Sequence, residues 1–184
     1  EISRGLVGSE MCIRDRQELV TGVELQFQPS EVSAVATKTH GIPYIAIDVD
    51  MLLINPNNWT AEQQHGYMAH VLVHECTHLQ QMIRGDLDVT TTGMVWKGVE
   101  YPHSHLTSMV ADTRSLFTDP EEFQFNLVIQ QIELPWELEA YGRALEIVDL
   151  DTAYPDPKWN SLMRKIQTDF RSLYMDKGKD ENVH

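Results

Sequence analysis

In the stretch VLVHECTHLQQ, residues 71–81, His74 and His78 stand four apart with Glu75 directly after the first. On a helix, at about 100° and 1.5 Å per residue, the two histidines lie about 40° apart on successive turns, so both imidazoles reach one ion. Glu75 projects about 100° round from His74, beside the ion rather than on it. There a carboxylate can take a proton from a metal-activated water, which is the mechanical content of an H-E-x-x-H sequence. His70 lies one turn before His74 on the same face but about 12 Å along the axis from His78. The three histidines cannot share one ion, and His70 is expected to line the cleft or back the site. Cys76 projects about 160° away from His78 and reads as a small core residue rather than a ligand.

Two imidazoles do not complete a catalytic zinc site, which takes three protein donors and keeps a fourth position open to water. A third histidine six residues after His78, as in the longer H-E-x-x-H-x-x-G-x-x-H pattern, is absent. Gln81 stands at the glycine position and Arg84 at the last histidine position. The alternative donor is a carboxylate on a second helix, and LPWELEAYGRALEIV offers Glu137 and Glu139. Ala140, Tyr141, Ala144 and Val148 fall within about 60° of Glu137 on a helix wheel. Glu139 shares the opposite face with Arg143 and Glu146. A lone carboxylate among core-facing residues costs on the order of several kcal/mol unless it is paired or metal-bound. Glu137 is therefore the expected third ligand, and the small Ala140 and Ala144 would let its helix approach the first closely. The bland alternative is an acid in a first helical turn after Pro135, favoured by the helix dipole. Glu100 is nearer in sequence but sits in an expected strand and ranks behind.

Elements able to position these residues can be read along the chain. VELQFQ and VSAVATK alternate in the β manner, THG can turn the chain, and IPYIAIDVDMLLI is a longer apolar strand. NPNNW breaks the sheet. Thr60 followed by Gln63 is a capping-box pattern that opens a helix through the H-E-x-x-H stretch to Arg84, with Gly85 placed to end it. Val71, Leu72, Met68, Leu79, Met82 and Ile83 form the flank of that helix that would face a core. GMVWKGVEY reads as another strand or hairpin arm. Helices are expected from Asp119-Pro120 to about Ile132, from Pro135 to about Val148, and from Pro157 to about Tyr174. Trp159, Leu162, Met163, Ile166, Phe170 and Leu173 give the last one an apolar stripe. The class is thus α+β: a small N-terminal sheet packed on the H-E-x-x-H helix, then a mainly helical C-terminal half. The tail KGKDENVH is expected to fray.

Residues 1–16, EISRGLVGSEMCIRDR, resemble translated sequencing-library adapter and are set aside. Gln17 is then the expected first genuine residue, with the natural start and any signal or pro-segment missing. Arg4, Arg14 and Arg16 offset Glu1, Glu10 and Asp15, so the net charge of -14 is untouched. Cys12 goes, leaving Cys76 alone. One cysteine forms no internal disulfide, so nothing marks a stapled secreted module, and a cytoplasmic setting is the default expectation. Residues 17–176 suit a single domain with a real core, followed by a polar tail at 177–184. The acidity argues against nucleic acid or an anionic membrane as partner. No apolar run approaches the roughly 20 residues that span a bilayer.

Taken together, HECTH and WELEA resemble the gluzincins, the branch of zincin metallopeptidases in which a glutamate on a later helix completes H-E-x-x-H. MVWKG followed by PWELEAYG is also similar to small metallopeptidase-like proteins of phages and marine bacteria. The resemblance implies a zincin-like fold, with a twisted sheet against the active-site helix and an edge strand that binds an extended peptide. It also implies Zn2+ held by His74, His78 and Glu137, a peptide or protein substrate, and Glu75 as general base passing a proton to the leaving amine. The developing oxyanion needs a donor; Tyr141 and His103 are the candidates, with Tyr101 and His105 behind them. Trp96 and Lys97 are placed on the substrate-side strand, or Trp96 in packing. The stretch between His78 and Glu137, 58 residues, is longer than in the best-known gluzincins, so 86–133 reads as an insertion. A second reading is a non-proteolytic protein on the same scaffold, structural or regulatory as in a phage particle, with a metal-only site.

Overall fold

The computed structural model describes residues 25–27, 34–39, 42–47 and 59–175. The segment 1–16, His40 and Gly41 of the THG turn, the DVDMLLI continuation of the third strand, the Asn-Pro break after it and the tail at 177–184 lie outside the described residues.

Three strands, β1 (Leu25–Phe27), β2 (Ala34–Thr39) and β3 (Ile42–Ile47), form a mixed sheet in the order β1-β3-β2. β1 runs parallel to β3 and β2 antiparallel to it, with Ala36 opposite Ile45. Helix α1 (Ala61–Arg84) packs on this sheet. The start expected from the sequence is observed: the Thr60 hydroxyl accepts the Gln63 N–H at 3.2 Å, and the Gln63 side chain accepts the Thr60 N–H at 2.7 Å. The stop is Gly85, whose φ of 76° lies in the left-handed region that glycine enters without steric penalty. Ala34, Ile45, Ile47 and Leu79 are buried between sheet and helix, with Tyr67, Met68, Val71, Leu72 and Cys76 packed against them. Each of the buried Ile and Leu side chains contributes about 1.5–3 kcal/mol of transfer free energy. Cys76 thus lies against the sheet core, as its wheel position implies.

The segment 86–133 has a structure of its own. β4 (Leu87–Val89), β5 (Gly93–Trp96) and β6 (Val99–Pro102) form an antiparallel sheet in chain order. The tight β5–β6 hairpin turns on Lys97 and Gly98, with φ of 48° and 84°, the two positive values a type I′ turn requires. Met82, Leu87, Trp96, Leu134 and Trp136 form a second buried cluster that ties this sheet to α1. Trp96 is therefore a packing residue, and Met82 faces this cluster rather than the first sheet. Two helices follow, α2 (His103–Leu116) and α3 (Pro120–Gln131). The second matches the expected Asp119-Pro120 start, and Asp119 caps it by accepting the N–H groups of Glu121 and Glu122 at 3.0 Å. The sequence pattern predicts no element over 103–116; α2 is an additional helix, and it puts His103 and His105 on its first turn.

Helix α4 (Pro135–Leu145) packs along α1 with Ala140 and Ala144 fully buried. A short α5 (Leu150–Ala153) leads into α6 (Pro157–Phe170), which ends in one π turn at Arg171–Met175. Leu162, Met163, Ile166 and Phe170 are buried as the stripe implies, whereas Leu173 falls in the π turn and is exposed. The α+β class follows from the sheet-then-helix order. No helix among the described residues is long and apolar enough to cross a membrane.

Candidate metal centre

His74 and His78 occupy successive turns of α1, and Glu137 faces them from the first turn of α4. Their donor atoms converge. The two Nε2 atoms are 3.0 Å apart, His74 Nε2 is 3.2 Å from Glu137 Oε2, and His78 Nε2 is 3.5 Å from Glu137 Oε1. A tetrahedral ion with bonds of about 2.0–2.1 Å has donor–donor edges of about 3.3–3.4 Å, and the three separations bracket that. All three groups are at least half-buried, and each turns a donor atom toward the others. Electronegative atoms this close need a metal ion or protons between them. Both electrostatic shifts reflect this. Burial resists a charge on His78, but the Glu137 carboxylate, Glu75 and Gln81 push its pKa up to about 9. Burial also resists a charge on Glu137, yet His78 and His74 hold its carboxyl well below the usual carboxylate range. The donor set, two imidazoles and one carboxylate, is one that zinc takes.

Two of the three donors are held by side chains behind them. His78 Nδ1 donates to the Gln81 amide oxygen at 2.9 Å. The Trp136 indole N–H donates to Glu137 Oε1 at 3.1 Å. Histidine ligands generally depend on such a partner at the other ring nitrogen. His74 differs: its Nδ1 is buried with no hydrogen-bond partner among the described residues, as is that of His70. His70 is 3% exposed and wedged beside His74, Tyr141 and Tyr154, with ring centroids 6.2, 5.7 and 5.5 Å away. Burial, with His74 adding to it, lowers its pKa to about 3 and keeps it neutral. It backs the site and is not among the converging donors.

Glu75 is buried, and its Oε2 accepts the main-chain N–H of Ala36 on β2 at 2.6 Å. Burial raises its pKa, opposed by His74, His78 and the Ala36 N–H and assisted by Glu137. A carboxylate beside the donors with a raised pKa is what a proton acceptor working near neutrality requires. Its anchor is notable because β2 is an edge of the first sheet among the described residues.

The remaining expected residues divide. The Tyr141 ring meets the His74 ring at 4.5 Å, edge to face, while its hydroxyl points to Gln131 at 3.4 Å. Burial, with Glu137 adding to it, raises the Tyr141 pKa, so the phenol keeps its proton. His103 is exposed at the start of α2, its Nε2 3.2 Å from the Thr90 carbonyl, and no hydrogen bond or ring contact joins it to the donors among the described residues. His105 and Tyr101 line a separate cleft of about 510 Å³ against α2, and Tyr101 also packs edge to face on Trp136 at 4.7 Å. Lys97 is exposed at the hairpin turn and lies over the Trp96 ring. Glu100 is exposed and bonded to Thr92 at 2.8 Å.

Glu139 corrects the helix-wheel reading. It was placed on the face away from the site with Arg143, yet it is 3% exposed. Arg84 and Arg143 pair with its Oε1 at 3.2 and 2.9 Å, and the Gln81 amide N–H donates to its Oε2 at 3.2 Å. Sequence reasoning thus missed Gln81 and Glu139 as supports of the site. The available signal was that Gln81 and Arg84 stand where the longer motif has its glycine and last histidine. Compared with known proteins, the chain matches no family model, no curated protein and no solved structure.

Proposed function

We propose that this chain is a zinc-dependent peptide-bond hydrolase with a zincin-like arrangement of sheet, H-E-x-x-H helix and later glutamate helix. The observation that carries the reading is the convergence of His74, His78 and Glu137 with Glu75 buried beside them and tied to an edge strand. A metal held for structure alone has no use for a neighbouring carboxylate of raised pKa, whereas hydrolysis does. A zinc ion in this donor set would act as a Lewis acid on a substrate carbonyl and acidify water. Glu75 would take the proton of the attacking water on its carboxylate and hand it to the leaving amine. For that it must exchange its Ala36 hydrogen bond for one to water, which leaves the Ala36 N–H at the sheet edge free to pair with an extended peptide. Tyr141, with a phenol that stays protonated and a ring already against His74, is better placed than His103 to donate to the oxyanion after a rotation of its side chain.

Metal analysis together with digestion of a peptide library by wild type and Glu75→Gln tests this. The expected result is one zinc per chain in both proteins and at least a hundredfold loss of cleavage in the variant, in line with the size of general-base contributions. Equal cleavage by both, or iron in place of zinc, overturns the reading.

A further inference from the structure

The Gln81 side chain is fully buried, and each end of its amide meets a partner of fixed polarity. The nitrogen donates to the Trp136 carbonyl at 3.0 Å and to the Glu139 carboxylate at 3.2 Å. A carbonyl only accepts, and a carboxylate flanked by two guanidinium groups is ionised and only accepts. The amide therefore cannot be turned over, and its oxygen must face His78 Nδ1. An amide oxygen accepts, so Nδ1 carries a proton, and in the neutral ring the Nε2 lone pair is the one turned toward His74 and Glu137. The same amide spans the two ligand-bearing helices, because its α4 partners, Trp136 and Glu139, lie on either side of Glu137 in sequence.

We propose that Gln81 is a positioning residue for the metal centre: backed by Glu139, Arg84 and Arg143, it fixes the His78 tautomer and sets α1 against α4 before any ion arrives. The proposal rests on the metal site assigned above. In this chain the two positions that depart from the longer histidine motif, 81 and 84, have become the support of a ligand instead of supplying one.

Nitrogen-15 NMR of the full-length, metal-free chain, recorded above the His78 titration, reads the tautomer without any variant. The Nδ1–H form is expected, and the Nε2–H form overturns the role of Gln81 whether or not the chain binds metal. Competition titration with a chromophoric zinc chelator gives the affinity. Gln81→Met, which keeps the bulk and removes both polar ends, is expected to weaken zinc binding by about 10–100-fold and to leave His78 as a mixture of tautomers. Zinc affinity within about twofold of wild type, with Nδ1–H retained, overturns the proposal, since that effect lies below the range for loss of such a partner. Absence of zinc binding by wild type instead overturns the hydrolase reading.

Discussion

The indole N–H of Trp136 donates to the carboxylate of Glu137 at 3.1 Å, so the donor on α4 is aimed by the residue directly before it. Trp136→Phe keeps a buried ring against Tyr101 and Trp96 but removes that hydrogen bond. Zinc affinity is expected to fall about tenfold, with only about 1 kcal/mol lost from the metal-free fold. Chelator competition and thermal melts of the same samples separate the two effects. An unchanged affinity with a large drop in Tm would mean that Trp136 matters for packing alone.

The pairing of His78 with Glu137 has a pH signature. His78 is raised from 6.5 to about 9 in the folded chain. A group raised on folding contributes stability that is fully present below its unfolded pKa and is lost as the pH climbs through the folded one. The metal-free chain is therefore expected to lose thermal stability between about pH 6.5 and 9, and Glu137→Gln, which removes the attracting charge, should flatten that decline. Zinc affinity should run the other way and increase across the same window, because the imidazole must give up its proton to bind. Melts with and without zinc across this range measure both, and a flat metal-free profile contradicts the pairing.

Gly142 lies where α4 meets α6, and a Cβ built there would fall inside the Phe170 side chain, which is buried and has nowhere to go. Helix propensity alone favours Gly142→Ala by about 1 kcal/mol. Overpacking of this kind costs about 1–3 kcal/mol or more, so steric conflict should win. Denaturant unfolding is expected to show net destabilisation, whereas a gain in stability would mean that α6 shifts freely.

Legibility in the sequence varied with how local each signal was. Helix α1 was readable from end to end because the Thr60–Gln63 box, the apolar flank and Gly85 all lie within its own span. Glu137 was readable because a carboxylate on a core-facing arc requires an explanation. Helix α2 escaped because neither usual signal is present. Its N-cap is Pro102, with no capping side chain, and among its residues only Thr113 is buried. Glu139 was misplaced for a different reason. A wheel drawn for one helix contains Arg143 but cannot contain Gln81 and Arg84, which reach it from α1 and make its burial tolerable. The support of the site is a property of two helices in contact, and no single window of sequence holds it.

The donors sit at either end of a long excursion of the chain. Residues 79–136, which run from the last turns of α1 through the second sheet, α2 and α3 into the start of α4, lead from His78 to Glu137. Binding an ion therefore works as a clasp, closing a loop whose ends would otherwise have to meet at an entropic cost. Occupancy is then linked to folding by mass action, and α2, fourteen residues long with Thr113 alone buried, is a weakly held part of that loop. Limited proteolysis within α2 should consequently report on whether the clasp, some distance away, is shut.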